Sequence, residues 1–276
     1  MKYKLIISDY GETLVHSGDK VSTQNVEAIR MFQQHGGLFS IATGREWQSI
    51  KRKIQKSDLN SLQEILITCC YGSMIISSIS ERVIFDAPLN LDLVKDLENF
   101  LLKNKIEYSL VTKDKTLIEK SIDISEYKWK KPKDILLFDN LEDLIQHVSK
   151  NNERIYKIDI YSLSMSEKVA KYINDKYIEI FKYYINKQGF MEIVSSDAGK
   201  EKAYNFIRDY YELKDKEVIV VGDAPNDLGL FKYALNRVAV SNAIGVLLDQ
   251  STYIVDNEGY IGISRLISKI LNDVVI

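Results

Sequence analysis

Four stretches of the 276-residue chain end, or lead into, a polar residue that can do chemistry. Leu5-Ile6-Ile7 stops at Ser8-Asp9. Leu38 to Ala42 stops at Thr43-Gly44-Arg45. The segment closed by Met191-Glu192-Ile193-Val194 leads into Gly199-Lys200. Val218-Ile219-Val220-Val221 stops at Gly222-Asp223. Continuous apolar runs of this length read as strands buried on both faces, as in a parallel sheet. In an open parallel sheet, ligands bind beyond the carboxyl ends of the strands. Asp9 and Asp223 would then bring two carboxylates to one edge, a ligand set suited to a hard cation such as Mg2+. Either aspartate alone could equally cap the helix that follows it. The pair together with Thr43 and Lys200 favours a site.

The elements that must position these residues alternate. Ser22 or Thr23 caps a helix through Val26, Ile29, Met31 and Phe32, which Gly36-Gly37 ends. A polar helix through Trp47, Ile50 and Ile54 follows the second strand, and Ile65 to Cys70 is a third strand. This order implies a doubly wound α/β layer. From about Ile84 to Phe190 the pattern is mixed: helices at Leu91–Leu101, Leu141–Val148 and Val169–Tyr177, with strand candidates at Tyr108–Thr112, Ile135–Phe138 and Ile155–Leu163. After Ser195 the first pattern returns, with a helix from Lys200, the strand at Val218, a helix from Asp227 and a strand at Val238. The expected fold is a Rossmann-like doubly wound parallel-sheet core, residues 1–83 and 190–276, interrupted by an α+β domain over 84–189.

Composition excludes several classes. Lys plus Arg is 37 and Asp plus Glu 39, a net charge of −2, so the chain is neither a basic nucleic-acid coat nor polyacidic. The Lys- and Tyr-rich stretch Lys168–Lys187 carries the compensating acids Asp175 and Glu179, which favours a helix and strand over a nucleic-acid face. The only cysteines, Cys69 and Cys70, are adjacent and cannot staple distant segments, which fits a reduced cytoplasmic protein. No segment approaches the roughly 18 apolar residues of a membrane span. His16, His35 and His147 lack metal-ligand spacing.

The motifs together resemble the haloacid-dehalogenase superfamily. Ser8-Asp9-Tyr10-Gly11-Glu12-Thr13-Leu14 is similar to its first motif, Asp-x-Asp-x-Thr after a strand. Ser40-Ile41-Ala42-Thr43-Gly44-Arg45 resembles the second, Gly199-Lys200 the third, and Gly222-Asp223-Ala224-Pro225-Asn226-Asp227 the fourth, with Ser241-Asn242-Ala243 after it. The long insert after the third strand resembles the Cof-type branch, which has a large α/β cap. The resemblance implies a Mg2+-dependent phosphatase acting on a small phosphorylated metabolite. It implies Asp9 as the nucleophile that becomes an aspartyl-phosphate. Asp9, Asp223 and the Gly11 carbonyl would hold Mg2+, supported by Asp227. Thr43, Gly44, Arg45, Lys200 and Asn226 would handle the phosphoryl group.

Two positions depart from the pattern. The second aspartate of the first motif, which protonates the leaving group, is Gly11 here. Gly11 keeps the carbonyl and loses the acid–base, a function worth about 10²–10⁴ in rate. Glu12, where the family usually has glycine, is either a substitute acid–base or a solvated turn residue. The expectation is therefore a phosphomonoesterase or, alternatively, an impaired homologue that binds phosphate as a sensor. The second departure is Tyr71-Gly72, where the resembled enzymes usually have Asn-Gly; Tyr71 narrows the site, stacks on a substrate or packs under the cap.

Overall fold

The structure is a computed structural model that describes residues 1–16, 20–122, 131–186 and 189–273. The chain divides into two compact units. One comprises Met1–Arg45, Ser49–Asp86 and Gly199–Ile276, the other Glu46–Gln48 and Ala87–Ala198.

The first unit opens with β1 (Leu5–Asp9), α1 (Thr23–Gln34), β2 (Leu38–Ala42), α2 (Trp47–Lys56), β3 (Leu66–Cys69), β4 (Met74–Ser77) and β5 (Val83–Asp86). The second unit contains α3 (Leu91–Lys103), β6 (Tyr108–Val111), β7 (Thr116–Glu119), β8 (Ile135–Phe138), α4 (Leu141–Lys150), β9 (Lys157–Ile160), α5 (Ser166–Lys176), β10 (Phe181–Ile185) and β11 (Met191–Ser195). The first unit resumes with α6 (Lys200–Tyr210), β12 (Val218–Gly222), α7 (Leu228–Tyr233), β13 (Asn236–Val240), α8 (Gly245–Gln250), β14 (Tyr253–Val255) and α9 (Gly262–Leu271).

The first unit's sheet runs β14-β13-β12-β1-β2-β3-β4-β5. From β14 to β3 every pairing is parallel. The run of apolar residues has the expected cause, since all five residues of both β1 and β12 are buried. Ser22 caps α1 by accepting the Asn25 N–H at 3.2 Å. Beyond β3 the sheet continues as an antiparallel hairpin, β4–β5, which the sequence pattern does not announce. Met74-Ile75-Ile76 is too short a run to separate from a loop or a helix turn.

The second unit's sheet runs β10-β11-β9-β6-β7-β8, antiparallel except for β7–β8. Its helices bury Val94, Leu97, Leu101, Leu144, Val148, Val169 and Ile173 in one cluster with Leu110, Ile158, Ile160 and Ile193 from the strands. Residues 191–195 differ from the expected boundary at 190. They form β11, which pairs with β9 and β10. An apolar run does not reveal which sheet it joins; the register Ile193 to Ile158 decides it. Lys187 lies outside the described residues, so the Lys- and Tyr-rich stretch is described only to residue 186: α5 and β10. Among the described residues no helix is long and apolar enough to cross a membrane.

Candidate active site

The strand order brings the chemistry together. β1 lies between β12 and β2, so Asp9 closes β1 while Asp223 and Thr43 follow directly on its two neighbours. Adjacent strands are about 4.8 Å apart, so three side chains from distant sequence meet at the carboxyl edge where the strand order reverses. Lys200 is the first residue of α6, entered through Gly199 at φ +153°. All four residues are buried.

Lys200 ties the cluster. Its Nζ donates to Asp9 Oδ1 at 2.5 Å and to Asp227 Oδ1 at 2.6 Å. Asp227 Oδ2 accepts the Asp223 N–H at 3.0 Å and the Ala224 N–H at 3.1 Å. Asp227 is thus fully occupied in holding the lysine and the backbone after β12. Gly222 is required by close approach, because a Cβ there would lie 2.7 Å from the Asp227 carboxyl carbon. Thr13 Oγ1 donates to Asp223 Oδ1 at 2.8 Å. Sequence reasoning gave Thr13 no role, although it stands in the first motif; its service to Asp223 depends on the fold alone.

Burial and neighbouring charge set the electrostatics of the cluster. Burial pushes the Asp9 carboxyl up to about 7; the Lys200 ammonium opposes this, and the charges of Asp227 and Asp223 reinforce it. Burial alone would lower the Lys200 pKa, but Asp227 and Asp9 outweigh it and raise it. Oxygens of Asp9, Asp223 and Asp227 lie within 4.8 Å of one another, the one such cluster of potential metal ligands among the described residues. Three buried carboxylates thus share the site with one ammonium. An oxygen-rich buried set of this kind fits a hard divalent cation.

The loop after β2 brings further donors to the same edge. Thr43 N–H donates to Thr68 O at 2.9 Å, and Arg45 N–H to Thr43 Oγ1 at 3.2 Å. Among the described residues the Gly44 N–H makes no hydrogen bond and the Arg45 guanidinium no ion pair. Among the described residues Asn226 Oδ1 and the Tyr10 hydroxyl are buried without a hydrogen-bond partner.

Residues 11 and 12 resolve differently. Gly11 has no positive φ, and a Cβ there would meet nothing within 4 Å. Glu12 adopts φ +64°, a left-handed backbone that favours glycine. Its carbonyl accepts from Asn242 at 2.8 Å and Asn257 at 3.2 Å. Its carboxylate accepts from the Tyr260 hydroxyl at 2.8 Å, with His16 Nδ1 at 3.2 Å. Glu12 reaches the aspartates only by leaving these partners. His16 is thereby accounted for as a neighbour of Glu12 and Tyr260.

The sequence profile of the haloacid dehalogenase-like hydrolases matches residues 6–267. The chain belongs to that family. Within its Cof-type branch, the chain is 26% identical over 291 aligned positions to 5-amino-6-(5-phospho-D-ribitylamino)uracil phosphatase of Bacillus subtilis, covering 98% of each protein. Among solved structures, a haloacid dehalogenase-like hydrolase from Bacteroides thetaiotaomicron superposes with a TM-score of 0.84 at 22% identity, over 98% of this chain and 100% of that one. A Thermotoga maritima protein gives 0.82 at 20% identity, over 97% of both chains. At these identities the structural likeness shows the fold. The family's α/β architecture is the one the alternating pattern implied.

Proposed function

We propose that the chain is a Mg2+-dependent phosphomonoester hydrolase that acts on a small phosphorylated metabolite through an aspartyl-phosphate on Asp9. The observation that carries this reading is the buried Asp9–Lys200–Asp227 chain beside Asp223. Asp9, Asp223 and the Gly11 carbonyl would hold the cation, which when bound neutralises the nucleophile and the phosphoryl oxygens.

In this reading an Asp9 carboxylate oxygen attacks phosphorus and the ester oxygen departs. Lys200 holds the nucleophile in place and shares its charge with the phosphoryl group. The Thr43 hydroxyl, the Gly44 N–H and the Arg45 guanidinium donate to the non-bridging oxygens, and Asn226 orients them. Phosphoryl transfer depends mainly on such positioning and charge neutralisation. A phosphorylated ribityl compound heads the substrate panel because of the Bacillus subtilis relative.

A second reading is favoured by one specific observation. Gly11 offers no carboxylate, and Glu12 is engaged by Tyr260 and His16. The chain would then bind phosphate without turning it over. Hydrolysis of an aryl phosphate and of sugar phosphates with Mg2+ separates the cases. An aryl leaving group needs little acid assistance. Turnover of both supports an intact phosphatase, turnover of the aryl ester alone an enzyme lacking its acid–base, and turnover of neither the binding module.

A further inference from the structure

The turn Cys70-Tyr71-Gly72 is strained and buried, and the chemistry above does not use it. Cys70 has φ +47° and Tyr71 φ +57°, two consecutive non-glycine residues in the left-handed region. Strain of this kind persists only where the surroundings enforce it, and it clusters at functional sites. Here the surroundings are the two motifs that handle the anion.

On one side the turn grips the Thr43 loop. Tyr71 N–H donates to Thr43 O at 3.1 Å and Cys70 N–H to Arg45 O at 3.0 Å. The Tyr71 ring lies on Gly44: a Cβ on Gly44 would fall 2.4 Å from the ring Cζ and 2.8 Å from the hydroxyl oxygen. Gly44, whose N–H has no other partner among the described residues, is held at its ends by backbone bonds and on its face by the ring. On the other side the turn meets the start of α6. Gly72, at φ +102°, packs so closely that a Cβ would lie 2.2 Å from the Gly199 carbonyl oxygen. Lys200 follows directly.

We infer that Tyr71 is a positioning residue for the phosphoryl-binding groups, and that the turn it occupies fixes the Thr43–Arg45 loop relative to Lys200. The inference rests on the proposed phosphatase reading. It explains the tyrosine physically, as a flat, rigid clamp over a loop whose glycine leaves room for it.

Three variants test this. Tyr71→Asn removes the ring while keeping a residue that tolerates the left-handed backbone. It is expected to weaken binding of inorganic phosphate about tenfold, equivalent to about 1.4 kcal/mol, and to raise KM more than it lowers kcat. Mg2+ affinity is expected to stay within about twofold. Gly44→Ala collides with the ring and is expected to weaken phosphate binding by more than about tenfold. In Gly44→Ala combined with Tyr71→Asn, part of that loss is expected to return, because the collision is gone. Strictly additive losses overturn the inference, as does an equal loss of Mg2+ affinity in Tyr71→Asn.

Hydrogen exchange at residues 43–45 separates this inference from the functional reading. Faster exchange there in Tyr71→Asn, with residues 218–222 unchanged, supports the clamp whether or not the wild type turns over. Unchanged exchange in a fully active protein overturns the clamp and leaves the phosphatase reading standing.

Discussion

Each unit of the molecule buries a lysine among carboxylates, and the two lysines are used differently. In the first unit Lys200 begins a helix and pairs with Asp9, at the end of β1, and Asp227, in the turn before α7, both within 2.6 Å of its Nζ. In the second, Lys157 lies within β9 and contacts Glu192 at 2.5 Å, Asp159 at 3.0 Å and, more distantly, Glu46 at 3.9 Å. Asp159 is two residues away and so shares the Lys157 face of the strand, and Glu192 lies opposite Asp159 on β11. Lys157 therefore satisfies a sheet. Lys200 bridges elements from both ends of the chain at a sheet's carboxyl edge, where a ligand can enter. Burial of a charged pair does not itself distinguish structure from function; the placement does.

The strongest way to break this comparison is to remove one group from each cluster. Asp9→Asn deletes the proposed nucleophile and is expected to lower kcat by about 10⁴-fold or more, with the fold intact by circular dichroism. Lys157→Met leaves buried acids without their cation and is expected to lower stability by about 3–5 kcal/mol in urea unfolding. If Asp9→Asn retains turnover, or if Lys157→Met melts like the wild type, the assignment of chemistry to one cluster and architecture to the other is wrong.

Next in size is Gly11→Asp. The open space at the Gly11 Cβ and its ordinary φ mean that a side chain is accommodated without strain. Turnover of a sugar phosphate is expected to rise by up to about 10²–10⁴ if the new carboxyl reaches the leaving oxygen. A well-folded Gly11→Asp protein with unchanged turnover places the acid–base elsewhere. Glu12→Gln then decides whether it is Glu12: loss of wild-type activity would mean that this residue leaves Tyr260 and His16 during turnover.

Smaller again is Asp223→Asn. Replacing one carboxylate of the cluster removes charge exactly where the cation would sit but leaves the Thr13 contact possible. Mg2+ affinity by calorimetry is expected to fall about tenfold or more, while Lys200→Ala weakens vanadate binding more than Mg2+ binding. Equal Mg2+ affinity in wild type and Asp223→Asn removes Asp223 from the metal site.

What the sequence alone reveals of the site follows from the physics of each part. Asp9, Thr43 and Asp223 were readable because a buried parallel strand is a continuous apolar run and its end is marked by the first polar residue. Lys200 was readable only beside those three. The Thr13–Asp223 bond, the Glu12–Tyr260 contact and the grip of Tyr71 on Gly44 were not. They join residues far apart in sequence through strand order and loop conformation, and no local periodicity encodes either. The boundary at β11 was misplaced for the same reason: Met191, Ile193 and Val194 would suit either sheet, and the register chose.

The comparison can also be tested at a carboxyl group that the second unit buries without an ion pair among the described residues. Glu98, on the inward face of α3, is fully buried, and neither of its carboxyl oxygens finds a hydrogen bond of acceptable geometry. Burial dominates and, with the Glu119 charge, outweighs the Tyr108 hydroxyl and the Lys95 ammonium, which favour the ionised form, moving the group from an ordinary 4.5 to about 8. Folding thus retains a proton that the unfolded chain has released between pH 4.5 and 8. The sign follows directly: a raised carboxyl pKa contributes full stability below pH 4.5 and loses it as pH rises toward 8. Within that window the loss is at most about 1.4 kcal/mol per pH unit. Glu98→Gln keeps the shape without the charge, so its melting temperature is expected to vary less between pH 5 and 8 than that of the wild type. It is also expected to exceed the wild type at pH 8. The two lysines place their neighbouring acids under ionic control; Glu98 would be held neutral chiefly by burial. Parallel pH profiles for wild type and Glu98→Gln would show instead that Glu98 is ionised and paired in the folded protein.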